Sequence, residues 1–305
     1  MSRTRFSPTD IVGITLGALV ALIVVGSVVF IAQGRLFAFR FSIPEMRGFW
    51  ENGEIASGDA QSEENDQQVA GSFSTVEVRN VAGSIVVTGG GGAGIGVHSV
   101  KKAPTRAAMD NVRVQIDRQG DRLVIEEKHE PGFLMRSGSI SFEISIPQGV
   151  KRIEARSVSG SVTVRDVEPG IDQALTSISG SISTSRARDL EASTTSGSIA
   201  FVFAGRQLDA RSISGSIQGE IQGLDRSGEA NLRTVSGSVR VGAFAGLDAT
   251  VSLHSLSGPV SCDFPVALSE QRNNRLQGKI GGGAARVDIG TTSGAISVTR
   301  IGAER

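Results

Sequence analysis

The sequence predicts an all-β protein: a single-stack parallel β-solenoid of about 20 residues per coil, preceded by one transmembrane helix. Three observations carry that prediction. A Ser-Gly-Ser corner followed by Ile or Val recurs through the second half of the 305-residue chain. Hydrophobicity alternates with period two on both sides of each glycine, and the 22 residues from Ile11 to Ala32 carry no charge.

Residues 1–10 form a short tail, and 11–32 read as the helix, which at 1.5 Å per residue spans a bilayer core of about 30 Å. A cleaved secretory signal is the rival reading, but the apolar run is long for one and no small-x-small site follows it. Arg3 and Arg5 precede the span while Arg35, Arg40 and Arg47 follow it, so flanking charge does not orient it. A ten-residue tail is easily retained, which places the N-terminus in the cytoplasm and the β-domain outside. Residues 33–50, with Phe37, Phe39, Phe41, Phe49 and Trp50 beside those arginines, read as an interfacial segment. Residues 51–70 carry six carboxylates, no Lys or Arg and almost no apolar side chains, which predicts a disordered acidic linker.

Residues 71–305 form the β-domain. Gly160, Gly180, Gly197, Gly215, Gly237 and Gly258 stand 20, 17, 18, 22 and 21 residues apart, and Gly83 and Gly294 match the same template at either end. In the six consecutive repeats the side chain five residues before the glycine is Ala or Leu, three before it is Ser or Thr, and two after it is Ile or Val. Apolar residues also stand two before most glycines (Val158, Ile178, Ile213, Val235, Leu256), so the inward parity is expected to change ahead of the glycine. A corner at the glycine accommodates that shift through positive φ, with the flanking hydroxyls bonding exposed amides. The six consecutive coils span about 24 Å. Near 111–128 a hairpin insertion is expected, and it or the strand ending at Pro147 covers one end of the stack. Phe264 to Gly283 is positioned to cap the other.

Chemistry is sparse. With 31 basic and 31 acidic residues, no net field recruits nucleic acid. Cys262 is the only cysteine and falls on an inward offset, and His98, His129 and His254 share no metal-ligand spacing. No catalytic, cofactor-binding or metal-binding residue is therefore assigned. Gly89–Gly96 lacks the Gly-Lys-Ser/Thr of a phosphate loop and reads as a loop feeding a strand. Asp172, Asp189, Asp209 and Asp248 sit at differing offsets and read as turn residues. One outward column remains as a candidate binding stripe: Arg156, Arg211, Arg233 and His254, with Thr176 and Ser193 between them.

The repeat resembles the bacterial putative-adhesin family of β-strand repeat proteins, a domain of unknown function. The likeness covers about Phe73 to Ile301. It rests on Pro147-Gln148-Gly149, Ile153-Glu154-Ala155, the Ser-Gly-Ser-Ile/Val series and the closing Val287-Asp288-Ile289-Gly290-Thr291-Thr292-Ser293-Gly294-Ala295-Ile296. The resemblance implies a cell-envelope protein with an N-terminal membrane segment and no catalytic residues. The expected function is thus a non-enzymatic, single-pass membrane-tethered protein whose β-solenoid binds a macromolecule, a glycan or another envelope protein. Self-association or partner sensing by a structural module is the alternative, and a polysaccharide-active enzyme is the third reading.

Overall fold

The computed structural model describes residues 27–32, 35–40, 61–90, 92–129 and 138–301, in two compact units, 1–57 and 58–305. In the first unit β1 (Ser27–Ala32) and β2 (Arg35–Arg40) pair antiparallel, with Ser27 opposite Arg40 and Ala32 opposite Arg35. The helix expected over 11–32 is corrected at its C-terminal end, where β1 lies, and β2 falls within the expected interfacial segment 33–50. Val28, Val29, Phe30 and Ile31 are β-branched or aromatic, and such a run favours a strand once a partner strand is present. Residues 11–26 and 41–60 of the expected helix, interface and linker lie outside the described residues. Among the described residues, no helix is long and apolar enough to cross a membrane.

The second unit is almost entirely strand and forms one open sheet of 20 strands. Its first part comprises β3 (Gln61–Ala70), β4 (Thr75–Ala82), β5 (Ile85–Gly89), β6 (Gly94–Ala103), the short helix α1 (Arg106–Asp110), β7 (Val112–Gln119), β8 (Arg122–His129) and β9 (Ser139–Ile146). The repeats follow as β10 (Arg152–Ser159), β11 (Val162–Arg165), β12 (Ile171–Ser177), β13 (Ile182–Thr194), β14 (Ile199–Ser214), β15 (Ile217–Ser236) and β16 (Val239–Phe244). The C-terminal part is β17 (Ala249–Ser257), β18 (Val260–Cys262), β19 (Ala267–Arg272), β20 (Arg275–Ile280), β21 (Ala285–Ser293) and β22 (Ile296–Ile301).

Two parallel ladders run side by side through these strands. The arms before the glycines pair in the order β8, β4, β10, β12, β13, β14, β15, β21, β17. The arms after them pair as β9, β5, β11, β13, β14, β15, β16, β22, β18. Strands β13, β14 and β15 are long because each carries the arm after one glycine and the arm before the next, and both arms pair with the preceding and the following repeat. Spatial order departs from chain order at both ends: β8 and β9 lie outside β4 and β5, and the last repeat, β21–β22, lies between the Gly237 and Gly258 repeats.

The core is the inward side of both ladders. Ile153, Leu175, Leu190, Ala210, Leu232, Leu253 and Ile289 are buried before the corners, and Ile85, Val162, Ile182, Ile199, Ile217, Val239 and Ile296 after them. The polar exceptions to this pattern satisfy one another. Gln173 and Thr184, both buried, are hydrogen-bonded side chain to side chain, and Gln173 Nε2 donates to the Ser185 carbonyl at 3.1 Å.

Antiparallel strands cover both ends. The expected hairpin is β7–β8, and it is part of the stack rather than an insertion, because β8 continues the parallel ladder on β4. Its Glu127 accepts from the amides of Val81 (2.6 Å) and Ala82 (2.9 Å), donors at the end of the corner ladder, while its other oxygen lies 2.8 Å from His129 Nε2. At the far end β19 and β20 form the expected cap, with β20 antiparallel on β17. The acidic linker expected over 51–70 is corrected at 61–70. That segment is β3, paired along its whole length with β6, although only Val69 of its ten side chains is buried. Backbone pairing explains how so polar a strand is retained: Lys101 and His98 of β6 face Glu63 and Asp66 at 3.6 and 2.7 Å.

Candidate functional site

The eight turn glycines, Gly83, Gly160, Gly180, Gly197, Gly215, Gly237, Gly294 and Gly258, form one column in that order. At each of the last seven, an added Cβ would overlap the carbonyl of the preceding glycine in the column, and at Gly83 the carbonyl of Ile140. Glycine is thus required by close approach of the next strand. Positive φ, the expected reason, holds only at Gly83 (+112°) and Gly294 (+155°). The hydroxyl three residues earlier points inward and donates to a neighbouring glycine carbonyl: Ser177 to Gly160 (3.0 Å), Thr194 to Gly180 (3.0 Å), Ser212 to Gly197 (3.1 Å) and Thr234 to Gly215 (2.9 Å). These hydroxyls donate to carbonyls, where amides were expected as their partners. At the first rung Asn80 takes the role with bonds to Gly83 and Ile140, and the Ser157 hydroxyl is left buried without a partner.

The residues of the candidate stripe fall in register on one column, with Gly290 between Arg233 and His254. Pairing aligns Arg79, Arg156, Thr176, Ser193, Arg211 and Arg233 on successive strands, then Gly290 and His254. Arg156, Arg211, Arg233 and His254 have side chains 41–60% exposed. Arg233 Nη1 meets His254 Nε2 at 3.1 Å across Gly290, where any side chain would collide with both. Burial and the Arg233 charge hold the His254 imidazole below its usual pKa.

Sequence reasoning missed the column beside it. Two residues earlier on each strand stand Glu77, Glu154, Ala174, Glu191, Asp209, Asn231 and Asp288, likewise in register. The two columns interlock: Arg79–Glu77 at 2.7 Å, Arg156–Glu154 at 3.8 Å, Arg211–Asp209, and Arg233–Asp288 at 2.9 Å. Arg122 of β8 adds bonds to Glu77 at 2.6 Å and Glu154 at 3.6 Å. Burial works to raise the Glu77 pKa, but the hydrogen bonds of two guanidiniums outweigh it and the net shift is downward. Asp209 moves the other way, raised chiefly by burial. The signal was present as Glu-x-Arg and Asp-x-Arg pairs two apart, the spacing that puts both side chains on one face of a strand.

Asp172 and Asp189, expected in turns, lie in strands and pair with Arg188 and Arg206, each at 2.7 Å. Asp248 does serve a turn, accepting from the Gly283 amide at 2.6 Å. Cys262 is half-buried, with its thiol pKa raised by burial.

The side chains two before each glycine correct the expected parity. Val81, Val158, Val235 and Leu256 are 41, 45, 45 and 75% exposed. The inward face therefore switches at the glycine itself, and this column lies outside.

These features define a repeat-built β-domain whose conspicuous surface is a set of in-register side-chain columns. The chain belongs to the Toastrack DUF4097 family, whose profile matches residues 99–299. Comparison with curated proteins returned no match. Among solved structures, it is similar to a putative cell adhesion protein from Clostridium sporogenes (10% identity, TM-score 0.37, covering 79% of this chain and 100% of that one). It is similar also to putative adhesins from Bacteroides fragilis (10%, 0.35, 79% and 97%) and Parabacteroides distasonis (10%, 0.37, 79% and 98%).

Proposed function

We propose that this chain is a non-enzymatic envelope protein whose β-domain, a single-stack parallel solenoid, binds a charged macromolecule, a glycan or another envelope protein, along its interlocked basic and acidic columns. The observation that carries the reading is the alignment of Arg79, Arg156, Arg211 and Arg233 on one outward column of adjacent strands. Parallel pairing of five consecutive arms on each ladder at repeat-length offsets supports the solenoid. Four of the five carboxylates in the acidic column, Glu77, Glu154, Asp209 and Asp288, are bonded to guanidiniums, which speaks against their use as an acid–base pair. The covered ends of the stack speak against growth by end-to-end stacking. Attachment to the bacterial cell membrane through residues 11–32, with the β-domain extracytoplasmic, belongs to the same proposal.

The test is binding of the full-length chain, in detergent, to an array of charged glycans and envelope proteins. Arg156→Ser, Arg211→Ser and Arg233→Ser together are expected to weaken retention at least about tenfold. Raising ionic strength from about 0.01 to 0.15 M, which shortens the screening length from about 30 to 8 Å, is expected to weaken it as well. Retention indifferent to both, or turnover of a polysaccharide, would defeat the proposal. Recovery in the supernatant after an alkaline membrane wash would defeat the anchoring part alone.

A further inference from the structure

At the corner, each of the eight rungs contributes four residues, from two before the glycine to one after it. Not one of these 32 positions is charged, although charged columns stand immediately alongside. The outer edge is the column of Val81, Val158, Ile178, Thr195, Ile213, Val235, Thr292 and Leu256, apolar at six of its eight positions. Beside it the serines preceding seven of the eight glycines are all exposed, and none of their hydroxyls has a hydrogen-bond partner among the described residues. The corner backbone spends its own groups on neighbouring rungs, as in Ser179 N to Val158 O (2.9 Å), Ser196 N to Ile178 O (2.8 Å) and Ser214 N to Thr195 O (2.8 Å). The hydroxyls are therefore left for an outside partner, repeated about every 4.8 Å over about 29 Å.

We infer that this corner is a second binding surface, and that its occupant is an extended, uncharged polysaccharide. An unbroken uncharged strip beside charged columns disfavours an ionic ligand, which would forgo the available charges. Sugar rings carry what the strip complements: C–H faces for the Val, Ile and Leu side chains, and hydroxyls that donate to and accept from serine. The rung spacing is close to the length of one pyranose unit, so a linear chain can meet several successive rungs. A second copy of this protein is the less suitable occupant. A strip about 34 Å long and one to two residues wide buries far less than the roughly 800 Å² per partner of a standard stable interface.

The full-length chain in a polyoxyethylene detergent, which lacks a competing sugar headgroup, would be run through gels containing neutral probes (hydroxyethyl cellulose, laminarin, dextran) and, separately, alginate. Retardation by at least one neutral polymer is expected. It should fall at least about tenfold in Val158→Ser/Val235→Ser/Leu256→Ser and in Ser179→Asp/Ser214→Asp/Ser257→Asp, all exposed positions, with unchanged melting temperatures as the folding check. The Arg156/Arg211/Arg233→Ser protein should still bind the neutral polymer, so this inference and the ionic reading can fail separately. No retardation by any neutral probe would overturn it. So would retardation that survives both corner variants, loss only in the arginine variant, or a concentration-dependent dimer abolished by the corner substitutions.

Discussion

At the residue scale, one amino acid type serves two different physical needs. Gly215 has no room for a Cβ beneath the Gly197 carbonyl, so Gly215→Ala must push two paired strands apart. A loss of about 3 kcal/mol or more is expected, read as a lower denaturation midpoint. Gly170, at φ +93° with open space around it, faces only the backbone penalty, and Gly170→Ala should cost about 1 kcal/mol. The Gln173–Thr184 pair gives a coupling test. Thr184→Val strands a buried amide oxygen and should cost about 1–3 kcal/mol, whereas Gln173→Leu with Thr184→Val should cost less than the sum of the single changes. Glu77 supplies a pH dependence. Its folded pKa lies below its usual 4.5, so its stabilising contribution is complete above that value and is lost as pH falls through the lower folded pKa. In Glu77→Gln, acid unfolding curves below about pH 4.5 should be flatter, and stability at neutral pH reduced.

At the scale of elements, β3 separates the two descriptions of its segment. If residues 61–70 were only a tether, removing residues 1–70 would leave the β-domain untouched. Because β3 is bonded along all of β6, that truncation is expected to lower the melting temperature and to free β6 amides for hydrogen exchange, with β14 still protected. The repeat arms, the hairpin at 112–129 and the cap at 267–280 were legible beforehand, since alternation and turn residues are local signals. Strand β3 was not, because nearly all its side chains stay in water and its pairing is made by the backbone, which has no sequence signature. Strand β1 competed with an equally apolar helical reading, and hydrophobicity alone does not distinguish the two. The acidic column was overlooked for another reason: each carboxylate looks isolated until the strands are set in register.

For the whole molecule, the place of β21–β22 is decisive. Strand β17 reaches the rest of the stack through β21, which is parallel to β15 on one side and β17 on the other. Deleting residues 284–305 should therefore unseat β17 to β20 as well, seen as loss of protection across 249–280 rather than at the terminus alone. The sequence by itself determined the repeat: its period, the alternation that sets the inward face of each arm away from the corner, and the glycine that marks each corner. Those properties follow from short-range alternation and from a contact repeated in every copy. Only the tertiary structure decided the order of the rungs, the pairing of basic with acidic columns and the exposure of the corner's apolar edge. Each of those depends on which strand lies beside which, a choice made by hydrogen bonds between backbones that are identical from one repeat to the next.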